Sequence, residues 1–599
     1  MCDGSGKCCN QLEAEAIHNN EQLLGFDLRS KDITWREYIT PLQPRAAPVY
    51  LQRQFQLISN YREPIGSHNR REVLVCHDMM GNYLEDRHYH SSKKYDDYRF
   101  YHWSGIDYFC YFSHSYISIP PCGWINAAHK HGVKVLGTFI TEGGNTKLLH
   151  EVLQSREMVN NVVTAMVKLC KHFGFEGWFV NVECKVNADA MENLYFFVER
   201  LRTVIQEQVD YGVVFWYDSI IDTGELAWQN EINAKNVRFF KSTGTMLINY
   251  TWNDKSLETT LNTCAQEQMH KQHAFFGIDV FGRGQTAKFQ SKQTLARIVK
   301  HRFSTGIFAP GWTYETLQTF GFNIKQPLGD DAVNTSFLLR NEKFWWTLWE
   351  HFATHPYSRL PFYTDFCLGS GKQTYSCGLV KDEADVKENC FFNLSRQSVQ
   401  PSVPLYQLAE RYYDDAFNGG SCLRIVQFDQ SFRLFATDFQ LNRGGLVCAY
   451  AFKLKPENGN LDLIIRFCAA NNARDCYLFL GDYYDTTNLQ RGRCYMSPFK
   501  PQYNVHLNNA METSKIPKDM AFPDFATNGW HVRYYVAYFN GSVQIKDIGV
   551  LYRKDENATD SAYLGAVYLN EFESNTYAPY IPTDSNAAHI EVYGGDLLN

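Results

Sequence analysis

The 599-residue sequence has no run of about 18 uncharged apolar residues, the length a membrane-spanning helix needs, so membrane insertion is not expected. Its first segment, MCDGSGKCCNQLEAEAIHNNEQ, lacks the apolar core of a secretory signal, and a cytosolic location is expected. Long basic runs are missing too, and the net charge is −7. Nucleic acid is therefore excluded as a partner, because phosphate binding requires concentrated Lys and Arg. The 17 cysteines form no compact framework; in the cytosol they are reduced thiols packed as small hydrophobes. Cys2, Cys8 and Cys9 have no second ligand pair at finger-like spacing, so no metal is expected. The turn MMGNYLED has no glycine-rich phosphate pattern, which excludes a nicotinamide enzyme; no cofactor of any kind is expected. Asn249, Asn334, Asn393, Asn540 and Asn557 head N-x-S/T tripeptides, chance matches without a secretory route.

What is abundant is aromatic: 12 Trp, 37 Tyr and 42 Phe, which serve β-rich cores and can also stack on pyranose rings. At this length two or three domains are expected. From Val73 onward, eight β-branched or aromatic runs recur at roughly thirty-residue spacing, the length of a βαβ unit. They are VLVCHDM, IDYFCYF, VKVLGTFI, GWFVNVE, GVVFWYDS, MLINYTW, FFGIDVFG and TGIFAPGW. Between them lie helical patterns such as REMVNNVVTAMVKLCKHFG and NLYFFVERLRTVIQEQV. Eight apolar strands alternating with helices predict an α/β fold, a (β/α)8 TIM barrel. After it, short alternating strands between Gly, Asn, Asp and Pro turns predict one or more C-terminal β-sandwich, jelly-roll-like domains. The expected divisions are a polar leader over 1–42, the barrel over 43–350, a β-rich connecting unit over 351–412 and a β-sandwich over 413–555. A β tail over 556–599 either completes the connecting unit or stands apart.

In such a barrel the active site lies at the carboxyl ends of the strands. The fourth run ends Asn181-Val182-Glu183, and residues two apart in a strand share a face, so Asn181 and Glu183 point together at the barrel axis. An amide beside a carboxyl suits hydrolysis assisted by a substrate's own 2-acetamido group. Its carbonyl oxygen attacks the anomeric carbon to give an oxazolinium ion, and no carboxylate nucleophile is needed. Glu183 then serves as acid and base while Asn181 orients the acetamide. Tyr217, near the end of the fifth run, can donate a hydrogen bond to the acetamide oxygen or the oxazoline. Trp216, Trp228 and Trp252 are candidate sugar platforms, although an isolated Trp is more often core. His77, Asp78, Glu142, Asp279 and Arg283 are further rim groups that serve structure as readily as ligand.

The motifs GFEGWFVNVE, VVFWYDSI, LAWQNEIN, FFGIDVFGRG and IFAPGWTYE, in this order between about Val49 and Glu350, closely resemble glycoside hydrolase family 85; NLSRQSVQP beyond them also fits. The resemblance implies an endo-β-N-acetylglucosaminidase that cuts the GlcNAcβ1-4GlcNAc core of high-mannose N-glycans, glycopeptides and free oligosaccharides. It implies retention of configuration and no metal, with Asn181 orienting the acetamide, Glu183 as acid/base and Tyr217 assisting. Trp228 and Trp252 resemble the family's substrate-gating tryptophans. A family 18 chitinase is the nearest enzyme alternative, but its D-G-x-D-x-D-x-E strand is met here by Glu176, Phe179 and Asn181 where Asp would stand. A catalytically silent glycan-binding barrel is the alternative from another class; it would be marked by loss of the acid, and Glu183 is present.

Overall fold

The computed structural model describes residues 13–26, 35–51, 62–64, 70–81, 83–88, 94–285, 287–381, 391–442, 444–455, 459–469, 475–482, 493–498, 528–539, 541–554 and 561–573. Cys2, Cys8, Cys9, Asn540, Asn557 and the tail beyond 573 lie outside the described residues. Each of the eight apolar runs overlaps one strand: β1 (Val73–Asp78), β2 (Tyr108–Phe112), β3 (Lys134–Glu142), β4 (Gly177–Glu183), β5 (Val213–Tyr217), β6 (Thr245–Ile248), β7 (Ala274–Asp279) and β8 (Ser304–Phe308). They pair in parallel in chain order, and the pairings of β8 with β1 and of β2 with β3 close the ring.

Helices form between strands where apolar residues recur at three- and four-residue spacing. The helix α1 (Arg156–Phe173) shows how the sequence bounds one. The Ser155 side chain accepts from Met158 N at its start, and Gly174 ends it in the left-handed conformation at φ 77°. Its Val159, Val162, Val163 and Met166 face is buried against the barrel wall.

Alternation along the strands divides the barrel residues into two layers. Leu74, Cys76, Cys110, Leu136, Ile140, Phe179, Phe215, Leu247 and Phe275 fill the interior. Their immediate neighbours, among them Val75, Trp178, Val180 and Trp216, pack outward against helices. The interior is therefore solid, and the cavity at the carboxyl ends of the strands lies above it.

Beyond the barrel two sheets face each other. One has the order β10 (Ala409–Tyr412), β11 (Cys422–Ile425), β19 (Ser561–Glu573), β13 (Gly444–Lys455), β17 (His531–Tyr538), with β9 (Phe362–Thr364) also on β19. The other has the order β12 (Phe432–Leu441), β18 (Val543–Arg553), β14 (Asn460–Ala469), β15 (Cys476–Leu480), β16 (Arg493–Met496). All pairs are antiparallel except β15 with β16. The buried Tyr450 of β13 reaches across and donates to a backbone carbonyl of the facing sheet, with Leu461 O and Leu480 O each 2.8 Å away. The last described strand thus pairs with residues 362–364, just over two hundred positions earlier.

Candidate active site

On β4, Phe179, Asn181 and Glu183 point inward, while Val180 and Val182 join the helix layer. Asn181 Nδ2 donates to Glu183 Oε2 at 3.0 Å. The other carboxylate oxygen, Oε1, accepts from Trp228 Nε1 at 3.2 Å. Asn181 Oδ1 is buried and has no hydrogen-bond partner among the described residues; Asn181, Glu183 and Trp228 line a cavity of about 430 Å³. Tyr217, Tyr250, Asn249, His114, Asp279 and Arg283 complete the wall.

The second carboxylate of the wall is committed elsewhere. Asp279, buried at the end of β7, accepts from Arg283 Nε at 2.7 Å and Nη2 at 3.3 Å, and from Phe281 N at 3.0 Å. Among the described residues, Glu183 is the pocket carboxylate without a cationic partner. His114 Nδ1 lies 2.7 Å from Glu142 Oε1, and this bond raises the imidazole above its ordinary pKa. Tyr250 reaches the mouth because Gly277 has no side chain: a Cβ there would meet Tyr250 Cδ1 at 2.6 Å.

Comparison with known proteins places this geometry. Residues 81–374 match the sequence model described as Glycosyl hydrolase family 85. The barrel is the part of the chain that is similar to glycosyl hydrolase family 85. A human relative named cytosolic endo-beta-N-acetylglucosaminidase is 37% identical over 377 residues, which cover 61% of this chain and 48% of that protein. A second, cytosolic endo-beta-N-acetylglucosaminidase 2 of Arabidopsis thaliana, is 31% identical over 440 residues, covering 67% of this chain and 59% of that one. The chain thus spans about half the length of the animal relatives it matches. Among solved structures, the glycoside hydrolase domain of Endo-D from Streptococcus pneumoniae R6 shares the fold. Its TM-score is 0.66 at 16% identity, over 93% of this chain and 83% of that one.

Within this barrel, three residues expected to bind substrate stand away from the pocket. Trp216 is fully buried, stacked on Phe239 with centroids 4.4 Å apart and planes at 2°; because Phe215 and Tyr217 face inward, Trp216 must face the helices. His77 occupies the same outward phase on β1, 2% exposed among Tyr98, Phe100, Phe109 and Trp124, and burial lowers its pKa to about 3. Trp252 turns inward behind β7, where its indole N–H donates to Gly277 O at 2.8 Å and the Arg297 guanidinium lies over the ring. All three are packing residues. Trp228, 42% exposed, is the tryptophan at the mouth.

The loop that carries Trp228 depends on a residue not singled out from the sequence. Asp218, fully buried after β5, accepts from Asn230 N at 2.7 Å, Gln229 N at 3.3 Å and Asn236 Nδ2 at 3.0 Å. Burial pushes its carboxyl up to about 6 against these donors. Strand-end placement was its only signal, one that many structural aspartates share. The tripeptide at Asn249 is no glycan acceptor: its side chain is bonded at both ends, to Tyr217 and Asn230.

Proposed function

We propose that this barrel hydrolyses the GlcNAcβ1-4GlcNAc bond in the core of N-linked glycans, leaving one GlcNAc on the protein or peptide. The observation that carries the reading is the joined pair of Asn181 and Glu183 on the pocket floor. A buried, unpartnered amide oxygen suits the N–H of a 2-acetamido group. Once that N–H is held, the acetamide carbonyl can attack the anomeric carbon, giving an oxazolinium ion and overall retention. Glu183 protonates the leaving oxygen, then takes the proton of the incoming water. A two-carboxylate route is disfavoured because Asp279 is held by Arg283. Trp228 anchors the sugar from the rim while its N–H steadies Glu183. The partners are N-linked glycans, glycopeptides and free oligosaccharides, high-mannose forms first. The relatives' names extend the proposal to the cytosol; among the described residues, no helix is long and apolar enough to cross a membrane.

The route is tested with Asn181→Ala and a preformed sugar oxazoline as donor. Loss of glycopeptide hydrolysis together with retained turnover of the oxazoline places Asn181 at the step that forms the ring. Equal loss on both substrates would contradict that assignment.

A further inference from the structure

The hydroxyl of Tyr217 has one proton, and a chain of bonds behind it determines where that proton goes. The chain starts at a backbone amide, whose polarity is not in question. Thr251 N–H donates to Asn230 Oδ1 at 2.9 Å, which fixes that end of the Asn230 amide as oxygen. The atom of Asn249 facing the same oxygen at 2.9 Å must then be Nδ2. Asn249 consequently turns Oδ1 to Tyr217, and the phenol donates to it at 2.7 Å. The Asn230 side chain is fixed at its other end as well, Nδ2 lying 3.3 Å from Trp228 O, and its backbone N–H is held by Asp218. Tyr250 stands beside Tyr217 with ring centroids 6.2 Å apart. With its proton given to Asn249, Tyr217 can meet the Tyr250 hydroxyl only as an acceptor. Phe179 has no polar hydrogen to offer, and the Glu183, Asp218 and Cys76 side chains nearby make no hydrogen bond to the Tyr217 hydroxyl among the described residues.

We propose that Asn249 and Asn230 are positioning residues that hold the Tyr217 proton away from the pocket, so that Tyr217 meets the sugar with an oxygen lone pair and accepts from a sugar hydroxyl. This differs from the donation to an acetamide oxygen expected of Tyr217 from sequence, and it rests on the glycosidase reading for the identity of the ligand. The two asparagines touch no substrate in this account; they act through Tyr217.

The test is a double-mutant cycle with the full chain on a high-mannose glycopeptide. Asn249→Ala is expected to lower kcat/KM about five- to tenfold, the worth of one well-formed hydrogen bond. In a Tyr217→Phe background the same change should cost less than about twofold, because the residue it acts through has lost its hydroxyl. Asn230→Gly serves as the second variant. It keeps the left-handed backbone (φ 58°) and the amide bond to Asp218 while deleting only the side chain, and it should be non-additive in the same way. If Tyr217 works by donating to the sugar, Asn249→Ala frees the proton and activity holds or rises, which overturns the proposal. Equal losses in both backgrounds also overturn it. An activity-independent reading comes from the tyrosine Fermi doublet in Raman difference spectra, wild type minus Asn249→Ala. Loss of one strong phenolic donor supports the assignment, and an unchanged doublet refutes it even if the glycosidase reading itself fails.

Discussion

A single side chain shows how the site divides its labour. Among the described residues, Glu183 takes one hydrogen bond on each oxygen, from Asn181 and from Trp228, and no cation. The Trp228 bond is a neutral donor on a carboxylate, worth about 1.5–3 kcal/mol if lost. Trp228→Ala is accordingly expected to lower kcat/KM by tenfold or more while stability stays within about 0.5 kcal/mol, because the residue is 42% exposed. Steady-state kinetics beside thermal melts checks both halves; a large drop in Tm would make Trp228 a packing residue. At this scale the sequence was readable wherever the strand's period of two applied without ambiguity. Asn181 and Glu183 follow from it directly. The outward phase of Trp216 and His77 follows from the same rule, once Tyr217 and Asp78 are taken as inward. Composition, which favours aromatic residues at a sugar site, pulled against that geometry and was overruled by it.

At the scale of elements, β5 carries both outcomes side by side. Tyr217 reaches the pocket, and Trp216, one residue earlier, fills the layer between β5 and the helix Val237–Thr243, which contains Phe239. Trp216→Ala should therefore destabilise the barrel by about 3–5 kcal/mol through the cavity it leaves. Enzyme that remains folded should keep its KM. Denaturant melts and kinetics on the folded fraction test this, and a raised KM at unchanged stability would restore Trp216 to the binding surface. The eight strands were legible because buried parallel strands are continuous apolar runs. The Asp218 network was not, because its partners come from a loop, residues 229–236, whose path no periodicity describes. Trp252 lies past the end of β6, where alternation no longer fixes direction.

Across the whole molecule, the barrel's last helix α2 (Asp331–Trp349) meets the β-rich half through a buried acid. Glu342 Oε2 accepts from Leu405 N at 2.7 Å, and burial raises its pKa to about 7, opposed by Arg411. A carboxyl whose folded pKa lies above its unfolded value contributes most at pH below the unfolded value, and that contribution is lost as pH rises through the folded one. The Tm of wild type relative to Glu342→Gln should therefore fall from about pH 4.5 to about pH 7 and level off above. A difference that rises with pH, or stays flat, would contradict the burial of an ionisable Glu342 at this junction. The sequence showed two architectures in succession but not how they lock together, since the bond joins positions 342 and 405 across the change in periodicity.

The account stands most directly on the chemistry assigned to Glu183, and one measurement addresses it: the mass of the peptide product from a high-mannose glycopeptide, wild type beside Glu183→Gln. The expected result is a peptide keeping one GlcNAc with wild type, and a rate lower by about 10²–10⁴-fold for the variant, the usual worth of a general acid–base. A glycopeptide left whole by wild type, or cut equally well by Glu183→Gln, would contradict it.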